Sequence, residues 1–495
     1  MSPQPNGVHV NGGGLAPSTA GAPSRVTLSL GHLPSKKDIK APWPRTPPGL
    51  TPTTLHGRPA YRGYHEYSFA HATMQSRLPT ILGKAIEDTT RTLNEQSSEE
   101  KVVDLVACIE RMGDLMIDLS ENHKLRPIID DDEADVALWN KEIAKYFQGK
   151  DFMNAPWLFA EAYKYRRLHE CFSVSKFWKD YDVFYRQKCD TFSRSAEAVF
   201  ELSMRFAEPF KISDNLSPED KLEFERNMFK RTHPKQIKSL QSTGGDHLAA
   251  TEKNILGNHL SELWESVKEV RSKTGGRVDF VLDNAGFELY CDCVYADFLL
   301  QSGLATQIRF HGKRFAWFVS DVTRKDWEWL LNTMVYGQLF PKATDVELES
   351  LRRLGQRWKQ YEKEGKWVYE QHPFWCTGYT FWELHSEAPD LFLHLSHSDL
   401  VFFKGDLNHR KLTYDCAAPA STPFDVAIGP MASSAGAPKV VSLRTIKSDV
   451  VVGLGDQGDE IAEKLDKEEP GWKISGKYAV VLLSEGRPGE KVRFA

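Results

Sequence analysis

The chain lacks the features that mark specialised protein classes. Only seven of its 495 residues are cysteines, an odd number with no C-x-x-C pair. Neither a disulfide framework nor a structural zinc site is therefore expected. Cys291 and Cys293 stand two apart in an apolar segment and read as buried thiols on a helix, not as a redox pair. No run of about 18 apolar residues occurs, so no membrane span is expected. Neither sign of charge dominates, since 63 Lys+Arg against 68 Asp+Glu leave a net charge of −5; this argues against a dedicated nucleic-acid binder. The first 24 residues hold no charge and no basic segment leading into an apolar one, so no secretory signal is read there. A cytoplasmic protein is expected, with the nucleus as the alternative.

The remainder is ordinary globular material, 41% hydrophobic and 26% charged, long enough for two or three structural units. Residues 1–56 read as a disordered tail and proline-rich connector. From about Tyr67 the pattern is helical. In residues 101–121, Val102, Leu105, Val106, Ile109, Met112, Met116 and Leu119 recur at three- and four-residue spacing, as on one buried helix face. Further helices are expected at residues 73–94, 134–147, 156–171, 190–208 and 249–270, with no strand before about residue 277. A polar loop is expected at about 232–247. The second half turns to short apolar runs at residues 278–282, 307–310, 316–319, 400–403, 440–443 and 478–483, apolar on both faces as in a buried parallel sheet. Helical patterns lie between several of them. The expected architecture is α/β: a three-layer Rossmann-like sheet domain (216–495) behind an N-terminal all-helical domain (57–215).

In such sheets ligands sit beyond the carboxyl ends of the strands. The run at 278–282 leads into Asp283, Asn284, Gly286 and Glu288. That at 316–319 leads into Ser320 and Asp321. That at 400–403 leads into Lys404, Gly405, Asp406, Leu407, Asn408, His409 and Arg410, and that at 440–443 into Arg444, Thr445 and Lys447. Asp283, Asn284 and Asp321 offer hard oxygen ligands suited to Mg²⁺ or Mn²⁺, with Co²⁺ or Ni²⁺ allowed by the general affinity order. Lys404, Arg410, Arg444 and Lys447 supply positive charge. A metal beside a set of cations is what a phosphoryl group requires. Any one of these acidic groups read alone is more often a helix cap than a catalyst.

The motifs D-N-A-G-F-E-L (283–289), A-D-F-L-L (296–300), W-F-V-S-D (317–321), G-K-W-V-Y (365–369), F-K-G-D-L-N-H-R-K-L (403–412) and R-T-I-K (444–447), with P-W-L-F-A-E-A-Y-K-Y-R-R (156–167), resemble the metal-dependent damage-control phosphatase family, whose third subfamily carries R-T-x-K. That subfamily includes sugar-phosphate phosphatases and a protein described as an acidic-residue (glutamate) carboxyl methyltransferase. The resemblance implies Asp283, Asn284 and Asp321 as catalytic metal ligands, for Mn²⁺ or Ni²⁺ with Co²⁺ or Mg²⁺ as alternatives. It implies substrate contacts from Asp283, Asn284, Asp406, Leu407, Asn408, His409, Arg410 and Lys447. Glu288 and Asp321 match S-adenosylmethionine positions of the methyltransferase description. His409 departs from the family's usual Tyr; a side-chain contact there would shift substrate preference, and a backbone contact would not.

Two enzymatic readings follow. The first is a metal-dependent phosphatase acting on small phosphometabolites such as fructose 1-phosphate, attacked by metal-activated water or by Asp283 itself. The second is an S-adenosylmethionine-dependent carboxyl methyltransferase, for which only the glycine pair Gly453 and Gly455 hints at a cofactor turn. A third, non-enzymatic reading makes the helical half an interaction module, but Val102, Ile109 and Met116 read as core. Arg166 and Arg167 read either as exposed salt-bridging residues or as reaching the active site. The expected partner is a small phosphorylated metabolite, with neither nucleic acid nor membrane.

Overall fold

The fold is taken from a computed structural model that describes residues 59–66, 68–209, 222–223, 225–227, 253–271 and 275–490. The expected tail at 1–56, the polar loop at 232–247 and the boundary at 215/216 lie outside the described residues. So does Tyr67.

Seven strands form one sheet: β1 (Ile255–Asn258), β2 (Arg277–Val281), β3 (Gln307–Gly312), β4 (Trp367–Gln371), β5 (Leu400–Lys404), β6 (Val440–Thr445) and β7 (Ala479–Ser484). Their spatial order is β1-β7-β6-β5-β2-β3-β4. Neighbours run parallel except β6 and β7, which are antiparallel. Strand residues alternate between two apolar cores. Val278, Phe280, Ile308, Phe310, Leu400 and Phe402 face one, while Val281, Val401 and Phe403 face the other. Because both faces are covered by helices, the strands read as continuous apolar runs. The second core joins the sheet to the helices Leu78–Asn94, Glu99–Ser120 and Trp157–Ser173 of the first half. The result is a layered α/β structure with a helical N-terminal region.

β2, β3 and β4 progress to one side, and β5 lies on the other side of β2. The order therefore reverses between β2 and β5, and the crevice at their carboxyl ends is where such a sheet receives a ligand.

Several expectations are corrected. Residues 316–319 are not a strand: Phe318 and Val319 take φ of 43° and 72°, left-handed values that no strand accommodates. The segment is a tight turn, with Ser320 N donating to Phe318 O at 2.9 Å and Asp321 N to Trp317 O at 3.1 Å. The helix expected at 249–270 begins only at Leu260, and residues 255–258 ahead of it are the edge strand β1. A strand therefore does precede residue 277. The helix expected at 190–208 is two, Tyr185–Ser193 and Ala196–Phe206. Trp367–Gln371, quoted above only as a motif, is a strand. In the helix Glu99–Ser120 the buried face is Leu105, Cys108, Met112, Leu115 and Leu119, and Val106 is turned outward at 38% exposure. Cys291 and Cys293 are buried on the helix Phe287–Gln301, as expected.

Candidate active site

The turn after β2 carries Asp283 and Asn284. Gly286 closes it at φ 70° and leads into the helix Phe287–Gln301. The turn at 317–321 is stitched onto this one, since Ala285 N donates to Ser320 O at 2.7 Å and Val322 N to Asp283 O at 2.9 Å. Two left-handed residues, one of them β-branched, are thus held in place by neighbouring backbone, as happens where a site fixes an unfavourable conformation. The consequence is that Asp321 stands beside Asp283 and Asn284. After β5, Gly405 adopts φ 84°, and the helix Gly405–Leu412 begins.

These turns enclose a cleft of about 180 Å³, lined among others by Asp283, Asn284, Glu288, Ser320, Asp321, Lys404, Gly405, Asp406, Leu407, Arg410, Thr445 and Lys447. Asp283, Asn284, Asp321, Asp406, Leu407, Arg410, Lys447 and Glu288 are therefore brought together. Asn408 and His409 are not among the lining residues. Asn408 Nδ2 donates to Lys404 O at 2.8 Å and to Leu282 O at 3.2 Å. His409 Nδ1 lies 2.8 Å from Ser442 Oγ. An eight-residue helix shows the cleft one face, which here carries 406, 407 and 410. Gly453 and Gly455 do not line the cleft either, and a Cβ on Gly453 would meet Leu482 of β7 at 2.8 Å.

Charge in the cleft is held in place by specific partners. Lys404 Nζ lies 2.8 Å from Asp292 Oδ1 and 3.3 Å from Glu288 Oε1. Burial opposes its charge, but these carboxylates carry its pKa above the ordinary lysine value. Asn284 Nδ2 donates to Asp283 Oδ2 at 2.8 Å and Glu288 Oε2 at 2.9 Å, and the Ser320 hydroxyl donates to Asn284 Oδ1. Arg444 is no free cation: it is buried in β6, and its Nε donates to Asp406 Oδ1 at 2.7 Å. Burial would raise the Asp406 carboxyl, but Arg444 and Arg410 hold it below its usual range. Arg410 pairs with Glu161 at 2.7 Å and Asp415 at 2.9 Å. Lys447 and Arg77 are the exposed cations of the cleft wall.

Asp321 is 2% exposed. Burial pushes its carboxyl up to about 6, against the opposing pull of Lys313. Lys313 Nζ pairs with Asp321 Oδ2 at 3.3 Å. Behind it, Lys188 Nζ donates to Asp321 O at 3.1 Å while bonding Asp182 and Asp326 at 2.8 and 2.7 Å. A desolvated carboxylate beside a second carboxylate and an amide fits a hard divalent cation.

A second cluster, Asp279, His311 and His394, has metal-ligand residue types within 4.8 Å of one another. Its cation is already present. Arg277 grips Asp279 through two bonds of 2.7 and 2.6 Å and sits 3.0 Å from His394 Nε2. Burial would raise the Asp279 carboxyl, but His311 and Arg277 hold it low. A guanidinium in that position repels a metal, so we read the cluster as an ion-pair network on the sheet face.

Arg77, Trp157, Glu161 and Phe318 also line the cleft, and the strand-end rule had no means of finding them. Arg166 and Arg167 do not line it. Arg166 is fully buried against Asp131 and Asp135 at 2.8 Å each, and Arg167 bonds Asp118 at 3.0 Å.

Comparison with known proteins adds an independent line. The family described as "Damage-control phosphatase ARMT1-like domain" matches residues 73–461. The chain is 34% identical over 447 residues to the "Damage-control phosphatase ARMT1" of Danio rerio, covering 85% of this chain and 95% of the relative. It is 35% identical over 443 residues to that of Xenopus laevis, covering 85% and 97%. It is 32% identical over 440 residues to that of Homo sapiens, covering 83% and 95%.

Proposed function

The chain belongs to the ARMT1-like damage-control phosphatase family, and from that premise we propose a metal-dependent phosphatase that hydrolyses small sugar phosphates such as fructose 1-phosphate. The observation that carries this reading is the cleft at the β2/β5 switch point. There Asp283 and Asp321 face the same space as Arg77, Lys404, Arg410 and Lys447.

Asp283, Asn284 and Asp321 would hold the divalent ion, with Mn²⁺ or Ni²⁺ first and Co²⁺ or Mg²⁺ as alternatives. When bound, that ion supplies Lewis-acid polarisation of a phosphoryl oxygen and eases deprotonation of an attacking water. Arg410 and Lys447 neutralise the phosphoryl oxygens, and their contribution grows as charge develops in the transition state. Glu161 and Asp415 keep the Arg410 guanidinium aimed and charged. Trp157, Phe318 and Leu407 supply the apolar wall that lowers the local dielectric and strengthens those contacts. Asp406, committed to Arg444, fixes the loop after β6 through Lys447 N at 3.1 Å and Ser448 Oγ at 3.1 Å. We read water as the attacking group, because Asp283 is a poorer nucleophile when committed to a cation.

The test is phosphate release from a panel of sugar phosphates, with and without EDTA, followed by add-back of Mn²⁺, Mg²⁺, Co²⁺ or Ni²⁺. Activity lost to chelator and restored by metal is expected; chelator-insensitive activity removes the metal from the reading. Wild-type turnover in both Asp283→Ala and Lys447→Ala would remove the site. Hydrolysis of a substrate made chiral at phosphorus should invert its configuration, the mark of one in-line displacement by water, and retention, the mark of a covalent Asp283 phosphate, overturns attack by water.

A further inference from the structure

Two arginines reach the cleft from distant parts of the chain, and two aromatic rings stand between them. Arg77 ends the π-helical segment Thr73–Arg77, and its guanidinium carbon lies 5.8 Å from the centre of the Phe69 ring. Phe69 meets Trp157 edge-on, with centroids 5.8 Å apart and planes at 89°. Trp157 in turn carries Arg410, whose guanidinium carbon is 3.6 Å from its ring centre. The series runs guanidinium, ring, ring, guanidinium. Arg77, Trp157 and Arg410 line the cleft, whereas Phe69 does not.

Two like charges sharing a cleft repel, so a surrounding structure must set their separation. Ring faces attract cations within about 6 Å, and an edge-to-face pair is the favoured contact of two rings. The chain of contacts is anchored at Phe69. Its backbone N–H donates to Asp449 Oδ2 at 3.1 Å, and Asp449 is 4% exposed in the loop two residues beyond Lys447. Ser68 Oγ accepts from His71 N at 3.1 Å in the same turn. A half-buried phenylalanine is thus fixed through its backbone and its ring, directly beneath a cation that faces the site.

We propose that Phe69 is a positioning residue for Arg77: with Trp157 it spaces the Arg77 and Arg410 guanidiniums so that both engage one phosphate group. This rests on reading the cleft as an anion site. Its distinct content is that Phe69, which does not line the cleft, acts on binding only through Arg77.

The experiment is a double-mutant cycle in the full chain. Steady-state kinetics use fructose 1-phosphate with Mn²⁺, and calorimetry measures the dissociation constant for inorganic phosphate. Phe69→Leu keeps the apolar bulk and removes the ring face. It should raise KM and the phosphate dissociation constant about three- to tenfold, the scale of a cation–π contact, with kcat within about twofold. Phe69→Tyr should restore both. In an Arg77→Ala background Phe69→Leu should add nothing. An unchanged constant in Phe69→Leu overturns the proposal, and so does an equal loss with and without Arg77, which marks a merely structural role. If Phe69→Leu lowers the melting temperature severely, Asp449→Ala, which removes the acceptor of the Phe69 N–H, replaces it in the same cycle with the same expected pattern. Phosphate binding that follows the pattern without any sugar-phosphate hydrolysis overturns the phosphatase reading alone. Arg77→Ala that leaves both constants unchanged overturns the proposal and leaves the phosphatase reading, which rests on Asp283, Arg410 and Lys447, standing.

Discussion

A Cβ on Gly405 would stand 1.8 Å from Asp283 Oδ2. The turn after β5 therefore presses bare backbone against the carboxylate at the end of β2. Gly405 also needs φ 84°, which an L side chain resists. Gly405→Ala should displace Asp283 by a fraction of an ångström to an ångström, a shift that costs about 100-fold in rate when it misplaces a reacting group. Steady-state kinetics should show this loss in kcat, with circular dichroism unchanged. Activity within about threefold of wild type would mean that Asp283 does not need its present position.

The two clusters of metal-ligand residue types can be told apart without any activity assay. A ligand that binds the folded state alone stabilises it by about 2.7 kcal/mol at a hundred times its dissociation constant. Mn²⁺ should raise the melting temperature of the wild type, and Asp321→Asn should abolish that increment. His394→Gln, in the Arg277-occupied cluster, should leave it intact. The reverse pattern would move the metal to Asp279, His311 and His394.

The strand-end residues were legible in the sequence because their signal is local. An apolar run, a hard-oxygen pair and a glycine before a helix specify a turn wherever they occur, and Asp283, Gly286 and Gly405 sit as that pattern requires. The turn at 316–321 was not legible. Trp317, Phe318 and Val319 favour strands by side-chain type, and only backbone pairing with 283–285 forces their left-handed conformation. Arg77 carries no local mark of a site, and Trp157 and Glu161 fall within the motif at 156–167 without a strand end to assign them a role; all three reach the cleft by packing of the helical region on the sheet. Within D-L-N-H-R, adjacency in sequence suggested a common role, but helical geometry divides the five residues between cleft and core.

That division bears on the departure from Tyr at His409. The ring is buried against Ser442 and stacks on Phe424 at 6.3 Å between centroids, away from the cleft lining. His409→Tyr should therefore leave the ranking of sugar phosphates by kcat/KM unchanged within about twofold. Its effect should appear in stability instead, as overpacking costs on the order of 1–3 kcal/mol. A reordered substrate panel in this variant would show that residue 409 is read by substrate.

Lys164 gives a pH-dependent prediction. It is fully buried, its Nζ makes no hydrogen bond, and it lies 3.8 Å over the Tyr165 ring. Burial pushes its pKa down to about 7, with Glu161 opposing, whereas the unfolded chain keeps the ordinary value near 10.4. Between those values the unfolded state binds more protons, so this group makes stability rise with pH from about 7 upward. Below about 7 the folded state must accept a buried charge or lose the group's contribution. Lys164→Met removes the cost. It should stabilise the protein by on the order of 1–3 kcal/mol near neutrality and below, and the gain should shrink as pH rises toward about 9. Urea unfolding of both proteins at about pH 6, 7.5 and 9 measures the difference directly. A gain that is independent of pH would show that Lys164 titrates alike in both states and that its burial costs nothing electrostatic.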